Sequence, residues 1–392
     1  MSVFDVDAIS LASLRQRTSA KWRVYEPDVI PAWVAEMDFP LAEPITAALH
    51  EAVDRSDVGY RWIGELPDSL AGFARATWGW DLNRDHVVVL PDVLTAIAQA
   101  ILALTASGEG VVVNTPVYPP FFTTVRDICG RELVDVPLLR DPDGHYELDL
   151  EGLTSAFARP EVTAYLLCSP HNPTGITPSA ETLTAIAELA LIHGVAVIAD
   201  EIHAPLAHPG TVHTPFLTVS SDDLIAVSLM SASKAWNIAG AKCAQVVAGS
   251  QQVMDIMSER VPLEVTYATG HFGVLASIAA YREGGPWLEQ VRSQIAANAR
   301  VVHQHVSTLS PSVQCVPPTS SYLAWMDLSA SGIEGDPSEF ILDRARVAVS
   351  AGPTFGAGGE GFIRLNFGTS PSILAEILDR MGRALMESGV EA

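Results

Sequence analysis

The chain has 392 residues, 48% of them hydrophobic, which is enough material for a large core and, by size, for two or three domains. Its 46 acidic against 23 basic residues leave a net charge of −23, which argues against nucleic acid or anionic membrane as a partner, since both need clustered Lys and Arg. A small molecule is the default ligand.

The N-terminus, MSVFDVDAIS, has no basic region leading into an apolar core and is not read as a signal peptide. The first forty residues are rich in Pro and Trp (Trp22, Pro27, Pro31, Trp33, Pro40) and predict an extended arm over 1–40 that packs on the small domain. From about residue 86, apolar β-branched runs alternate with helical patterns, at 86–90, 92–105, 111–114, 120–129, 162–168, 180–193, 195–199 and 224–230. Strands that are apolar almost throughout, alternating with helices, indicate a buried, mainly parallel sheet between helices, in a large domain over 41–286. The apolar run 185–199 is interrupted by Glu188, His193 and Gly194 and splits into helix end, turn and strand, not a membrane span. Beyond Gly284-Gly285-Pro286, an amphipathic pattern over 287–309 opens a smaller C-terminal α/β domain, 287–392. Cys129, Cys168, Cys243 and Cys315 show no C-x-x-C spacing and are read as reduced thiols, which suits a cytoplasmic protein.

In such sheets ligands gather at the carboxyl ends of the strands, and the chemically notable residues fall there. Asp200 closes the apolar run Val195-Ala196-Val197-Ile198-Ala199, where an unpaired carboxylate is costly. Lys234, in Ser231-Ala232-Ser233-Lys234, follows the next strand pattern. An acid, a hydroxyl cluster and one lysine at neighbouring strand ends can hold a pyridine ring at nitrogen, phosphate and aldehyde, which is the binding problem of pyridoxal 5′-phosphate (PLP). Lys234 alone would be read as a surface lysine; its companions reverse that reading.

Lys234 would carry the aldehyde and shuttle the Cα proton, Asp200 would keep the ring nitrogen protonated, and Asn172 would donate to the phenolic oxygen. Tyr118, stiffened by Pro116, Pro119 and Pro120, would lay its ring on the cofactor. Ser231, Ser233, Lys242 and the backbone N–H groups of Val93 and Leu94 would hold the phosphate, with Asp92 turned aside to cap the helix. Arg364, within an apolar strand pattern, offers a fork for an α-carboxylate, and His203 could support Asp200 from behind.

Together these residues resemble the fold-type I PLP enzymes of the class I/II aminotransferase superfamily, over nearly the whole chain. The chain looks most like the cystathionine β-lyase branch, the C–S lyases of the MalY and PatB type. That closer match is carried by Lys21-Trp22 with Ile30-Pro31-Ala32-Trp33-Val34-Ala35-Glu36-Met37-Asp38-Phe39, by Ser169-Pro170-His171-Asn172-Pro173, by Asp200-Glu201-Ile202-His203 and by Ser231 to Gly240. The resemblance implies a large domain with a mainly parallel seven-stranded sheet, and a homodimer in which Tyr60 reaches the phosphate of the neighbouring subunit and assists catalysis. It also implies that Trp33, Ala35, Asn172 and Arg364 line the substrate side. The chain departs from the family at Glu36, Asp92 and Ile176-Thr177, where Asp, Gly and a nearby Arg are usual.

The implied reaction is β-elimination at S-substituted cysteines, giving thiol, pyruvate and ammonia, in methionine biosynthesis. An aminotransferase shares every group up to loss of the Cα proton. A metal-dependent hydrolase built on Asp200, Glu201, His203 and His208 would leave Lys234 unexplained, and a non-catalytic regulator would retain the fold alone.

Overall fold

The computed structural model describes residues 3–309 and 313–387. Its main sheet has seven strands: β1 (Val87–Leu90), β2 (Gly110–Val113), β3 (Glu132–Asp135), β4 (Val162–Cys168), β5 (Ala196–Asp200), β6 (Ala226–Met230) and β7 (Ala244–Ala248). They lie in the order β1-β7-β6-β5-β4-β2-β3. All run parallel except β7, which is antiparallel to both its neighbours. The alternation read from the sequence missed β3 and β7. β3 is an edge strand with exposed Glu132 and Asp135, and β7 is five residues with no period to mark it.

Side chains leave each strand to alternate faces, and both faces are covered. Val111, Val113, Ala164, Leu166 and Ile198 pack on one side. Val112, Tyr165, Leu167, Val197 and Ala199 pack on the other. Burial on both faces is why β5 and β6 read as continuous apolar runs, each fully buried large aliphatic contributing about 1.5–3 kcal/mol.

Helix α1 (Val93–Leu104) follows β1, with Asp92 as its N-cap accepting from Thr95 N–H at 2.8 Å. Helix α2 (Ala180–His193) starts at the Ser179 cap and ends at Gly194, whose φ of 68° is the left-handed turn that stops it. Helix α3 (His271–Glu283) leads into the long α4 (Gly285–Leu309). A three-stranded antiparallel sheet follows, β8 (Leu323–Asp327), β9 (Ser350–Ala351) and β10 (Phe362–Asn366) in the order β8-β10-β9, with α5 (Pro371–Glu387) after it. The arm pairs Ile30–Pro31 in parallel with Val347–Ala348, then returns over the carboxyl ends of the main strands. Among the described residues no helix is long and apolar enough to cross a membrane.

Candidate active site

A cavity of about 200 Å³ opens where β4, β5 and β6 end and α1 begins, lined by Ala35, Asp92, Val93, Leu94, Tyr118, Asn172, Asp200, His203, Ser233, Lys234 and Lys242, with Cys168, Ile202 and Cys243. The chain reaches it through a short helix, Ala232–Ala235, set in place by Trp236, which is fully buried and donates its indole N–H to Gly284 O at 3.0 Å. Residues 241 and 242 close against α3. A Cβ at Gly273 would lie 2.4 Å from Ala241 O, so only glycine lets the backbones approach this closely.

Lys234 Nζ donates to Ala35 O at 2.8 Å. Burial and the nearby Arg364 charge bring its pKa down to about 8, so the amine gives up its proton far more readily than an ordinary lysine. Asp200 is buried and accepts Ile202 N–H at 3.2 Å; among the described residues no ion pair neutralises it, and burial pushes its pKa up to about 7. Arg364, 5% exposed, is the converse case, a buried guanidinium with no carboxylate paired to it among the described residues. Its Nη1 donates to Asn172 Oδ1 at 2.9 Å, its Nη2 to Trp33 O at 2.9 Å and to Ser350 Oγ at 3.2 Å, and its Nε has no acceptor. The Phe355 ring lies 5.0 Å beneath it. Burial brings the Arg364 pKa down to about 10. With Asn172 Oδ1 used by Arg364, the Asn172 amide nitrogen remains to donate elsewhere.

These residues fit PLP. The uncompensated Asp200 carboxylate suits a protonated ring nitrogen, the softened Lys234 amine an aldehyde, and the half-buried Tyr118 face a planar ring. At the other end of the cavity the opening N–H groups of α1 lack intrahelical acceptors and, with Ser233 and Lys242, suit a phosphate. Asp92 turns aside as expected, yet it also takes Lys242 Nζ at 3.0 Å. Burial opposes its ionisation, but the Thr95 N–H and Lys242 outweigh this and hold the carboxyl below its ordinary range.

Several of the expected residues make other contacts or lie outside this cavity. Ser231 lies outside the cavity lining because its hydroxyl is spent as a helix cap for Ser233 N–H and as a donor to Cys243 O. His203 lines the cavity, but its Nδ1 meets Ser321 Oγ at 3.1 Å where support of Asp200 was expected, and burial brings its pKa down to about 3. Trp33 presents its carbonyl to Arg364, while its ring lines a separate cavity with Tyr25 and Thr354. Tyr60 is 91% exposed and outside the cavity of its own chain. The acid–histidine cluster disperses: Glu201 pairs with His213, and His208 meets Ser321 O.

The sequence reasoning also missed what holds residues 33–38 in place. Tyr322 Oη donates to Ala35 O at 3.0 Å, Asn366 Nδ2 to Val34 O and Glu36 O, and Ser350 Oγ to Trp33 O. Asn237, at φ 58°, both donates to and accepts from the Met37 backbone at 2.8 Å. Lys21 and Asp38 form a buried ion pair at 2.7 Å. A left-handed Asn three residues after the lysine was the one local signal available.

A model of the family "Aminotransferase class I and II" matches residues 40–381. The chain is 38% identical to cystathionine beta-lyase PatB of Bacillus subtilis, over 91% of this chain and 93% of that protein. It is 32% identical to the cystathionine beta-lyase of Corynebacterium glutamicum, over 96% and 99%. Cystalysin of Treponema denticola, whose crystal structure contains pyridoxal 5′-phosphate, superposes with a TM-score of 0.90 at 26% identity, covering 95% of this chain and 97% of its own.

Proposed function

The chain belongs to the class I and II aminotransferase family, and we propose that it is a PLP-dependent carbon–sulfur lyase that eliminates thiols from S-substituted cysteines, releasing thiol, pyruvate and ammonia. The observation that carries this reading is one cavity in which a buried, uncompensated Asp200 and the softened amine of Lys234 meet, with the carboxylate-free Arg364 against its Asn172. The names of the B. subtilis and C. glutamicum relatives support the lyase over other fates of the same site.

The bound cofactor supplies an electron-withdrawing ring that accepts the electron pair left on Cα when its proton departs. Asp200 would pair with the protonated ring nitrogen, Asn172 would donate to the phenolic oxygen, and Tyr118 would fix the ring plane. Val93 and Leu94 N–H groups, Ser233 and Lys242 would hold the phosphate, joined in a homodimer by Tyr60 of the partner subunit. Arg364 would bind the substrate carboxylate through its Nε–H, which has no acceptor among the described residues. That contact would orient the Cα–H bond toward Lys234, whose amine, in its unprotonated form, would take the proton. The electron pair on Cα would then form the Cα=Cβ bond as the Cβ–S bond breaks; thiolate is a far better leaving group than hydroxide, and water would hydrolyse the released enamine to pyruvate and ammonia.

The homodimer is supported by an exposed apolar surface beside the cavity: Val58 (69% exposed), Tyr60, Trp62 (78%) and Tyr267 (53%), with Arg61 Nε tying the loop to Thr266 O at 2.7 Å. The four free, buried cysteines support a cytoplasmic setting. With cystathionine as substrate the thiol is homocysteine, which would place the enzyme in methionine biosynthesis.

The test is to incubate the purified protein with cystathionine and assay pyruvate, ammonia and free thiol together. Equal release of all three without a keto acid is expected. Amino transfer that requires an added keto acid would move the reading to an aminotransferase, and appreciable turnover by Lys234→Ala would overturn both.

A further inference from the structure

Directly after Asp200 stands a second buried acid that the proposed reaction leaves unused. Glu201 is 0% exposed. Its side chain leaves the backbone on the opposite face from Asp200, with the parity of Val197 and Ala199. There it accepts three hydrogen bonds: Phe216 N–H at 2.9 Å, His213 Nε2 at 3.1 Å, and the hydroxyl of Ser228, which is β6's neighbour to Ala199.

The charge of this cluster can be read from its hydrogen bonds. His213 Nδ1 is buried without a partner, and the ring packs edge-on against Trp78 at 5.7 Å. On a neutral ring that atom is a bare lone pair, whereas on a charged ring it would be an unsatisfied buried N–H donor, a costlier state. His213 is therefore neutral and donates through Nε2. Three donors and no cation face Glu201, an arrangement that suits a carboxylate without neutralising it.

We propose that Glu201 is a positioning residue, a second carboxylate that raises the proton affinity of the pair Asp200 would form with the ring nitrogen of the cofactor. The geometry supports this because the two acids are consecutive at one strand end in a low-dielectric interior, where like charges each favour a proton near the other. The groups facing Asp200 are Lys234, Cys168, Tyr118 and Glu201; the neighbouring Glu201 charge raises the proton affinity of Asp200, while Lys234 lowers it. The inference rests on the PLP reading of the site.

The experiment loads the wild-type enzyme and Glu201→Gln with PLP carrying ¹⁵N in the ring and follows the nitrogen shift, which reports its proton, over roughly pH 6 to 10. Gln preserves shape and acceptor while removing the charge. The midpoint for proton loss is expected to fall by about one pH unit or more in E201Q. Turnover should fall about tenfold with KM nearly constant, since a less protonated ring is a weaker electron sink. Ser228→Ala removes one donor but keeps the charge, and its midpoint should stay at the wild-type value.

Equal midpoints in wild type and E201Q, including both staying protonated throughout, would overturn the proposal, as would an S228A shift as large as that of E201Q. If E201Q does not fold, the ¹³C carboxyl signal of Glu201 in the wild-type holoenzyme decides. An ionised signal at about pH 7 is expected, and a protonated one overturns the idea. Failure to take up PLP at all would instead defeat the underlying reading of the site.

Discussion

Replacing Asp200 by Asn should stabilise the cofactor-free protein while destroying its capacity to use the cofactor. Burial lifts the Asp200 pKa from 3.8 to about 7, with the Glu201 charge adding to the lift. The gap, about 7 − 3.8, is close to three, and each pKa unit is worth about 1.4 kcal/mol, so the ceiling on the cost at pH 8 is about 4 kcal/mol. Because the folded pKa lies above the unfolded one, this acid favours folding only while it is protonated. Wild-type stability is therefore lost, relative to D200N, as pH rises from about 4 to about 7, and the difference is constant above. Asn keeps an oxygen to accept Ile202 N–H and carries no charge to desolvate. We expect apo D200N to be more stable than apo wild type by about 2–4 kcal/mol at pH 8 and nearly equal to it at pH 4, measured by urea unfolding at several pH values. The same variant should bind PLP weakly and turn over at least about 100-fold more slowly, since the ring nitrogen loses its anionic partner. A D200N protein no more stable than wild type at pH 8, or a gain equally large at pH 4, would refute the electrostatic reasoning.

Three other outcomes are expected. Lys21→Met breaks an ion pair whose side chains are 2% and 3% exposed and leaves Asp38 buried alone, so urea unfolding should show a loss of about 3–5 kcal/mol, partly restored by adding Asp38→Asn. Phe355→Leu removes the ring beneath the Arg364 guanidinium; a desolvated cation–π contact of about 1–2 kcal/mol predicts a rise in KM of roughly 5–30-fold with kcat largely kept. An equal fall in kcat would show that Phe355 serves something other than carboxylate binding. Tyr60→Phe should leave the unfolding free energy within about 0.5 kcal/mol, given its exposure, yet weaken PLP binding in an equilibrium titration; unchanged affinity would remove Tyr60 from the phosphate site.

Much of the large domain was legible because its strands are buried on both faces and its helices carry their own caps. Runs such as Ala196–Asp200 admit no polar residue without a reason, so an acid at the end of one pointed to a site. The same logic placed Lys234 and Asn172 at neighbouring strand ends and read Asp92 as a cap, all local consequences of residue type. The small edge strand β3 and the reversed strand β7 were not legible, since a short run carries no periodicity and strand direction depends on where the chain re-enters the sheet.

Other features were settled only by folding, because they depend on partners far away along the chain. His203 meets Ser321, 118 positions on, and Arg364 meets Asn172 across 192, so neither role could be assigned from neighbours. A hydroxyl beside a lysine suits a phosphate or a helix cap equally, and the contact of Ser231 with the Cys243 carbonyl, 12 positions on, could not be read from its neighbours. Local residue chemistry determined which groups this protein brings to its site; long-range hydrogen bonding and burial determined their charge states and which of them face the cavity.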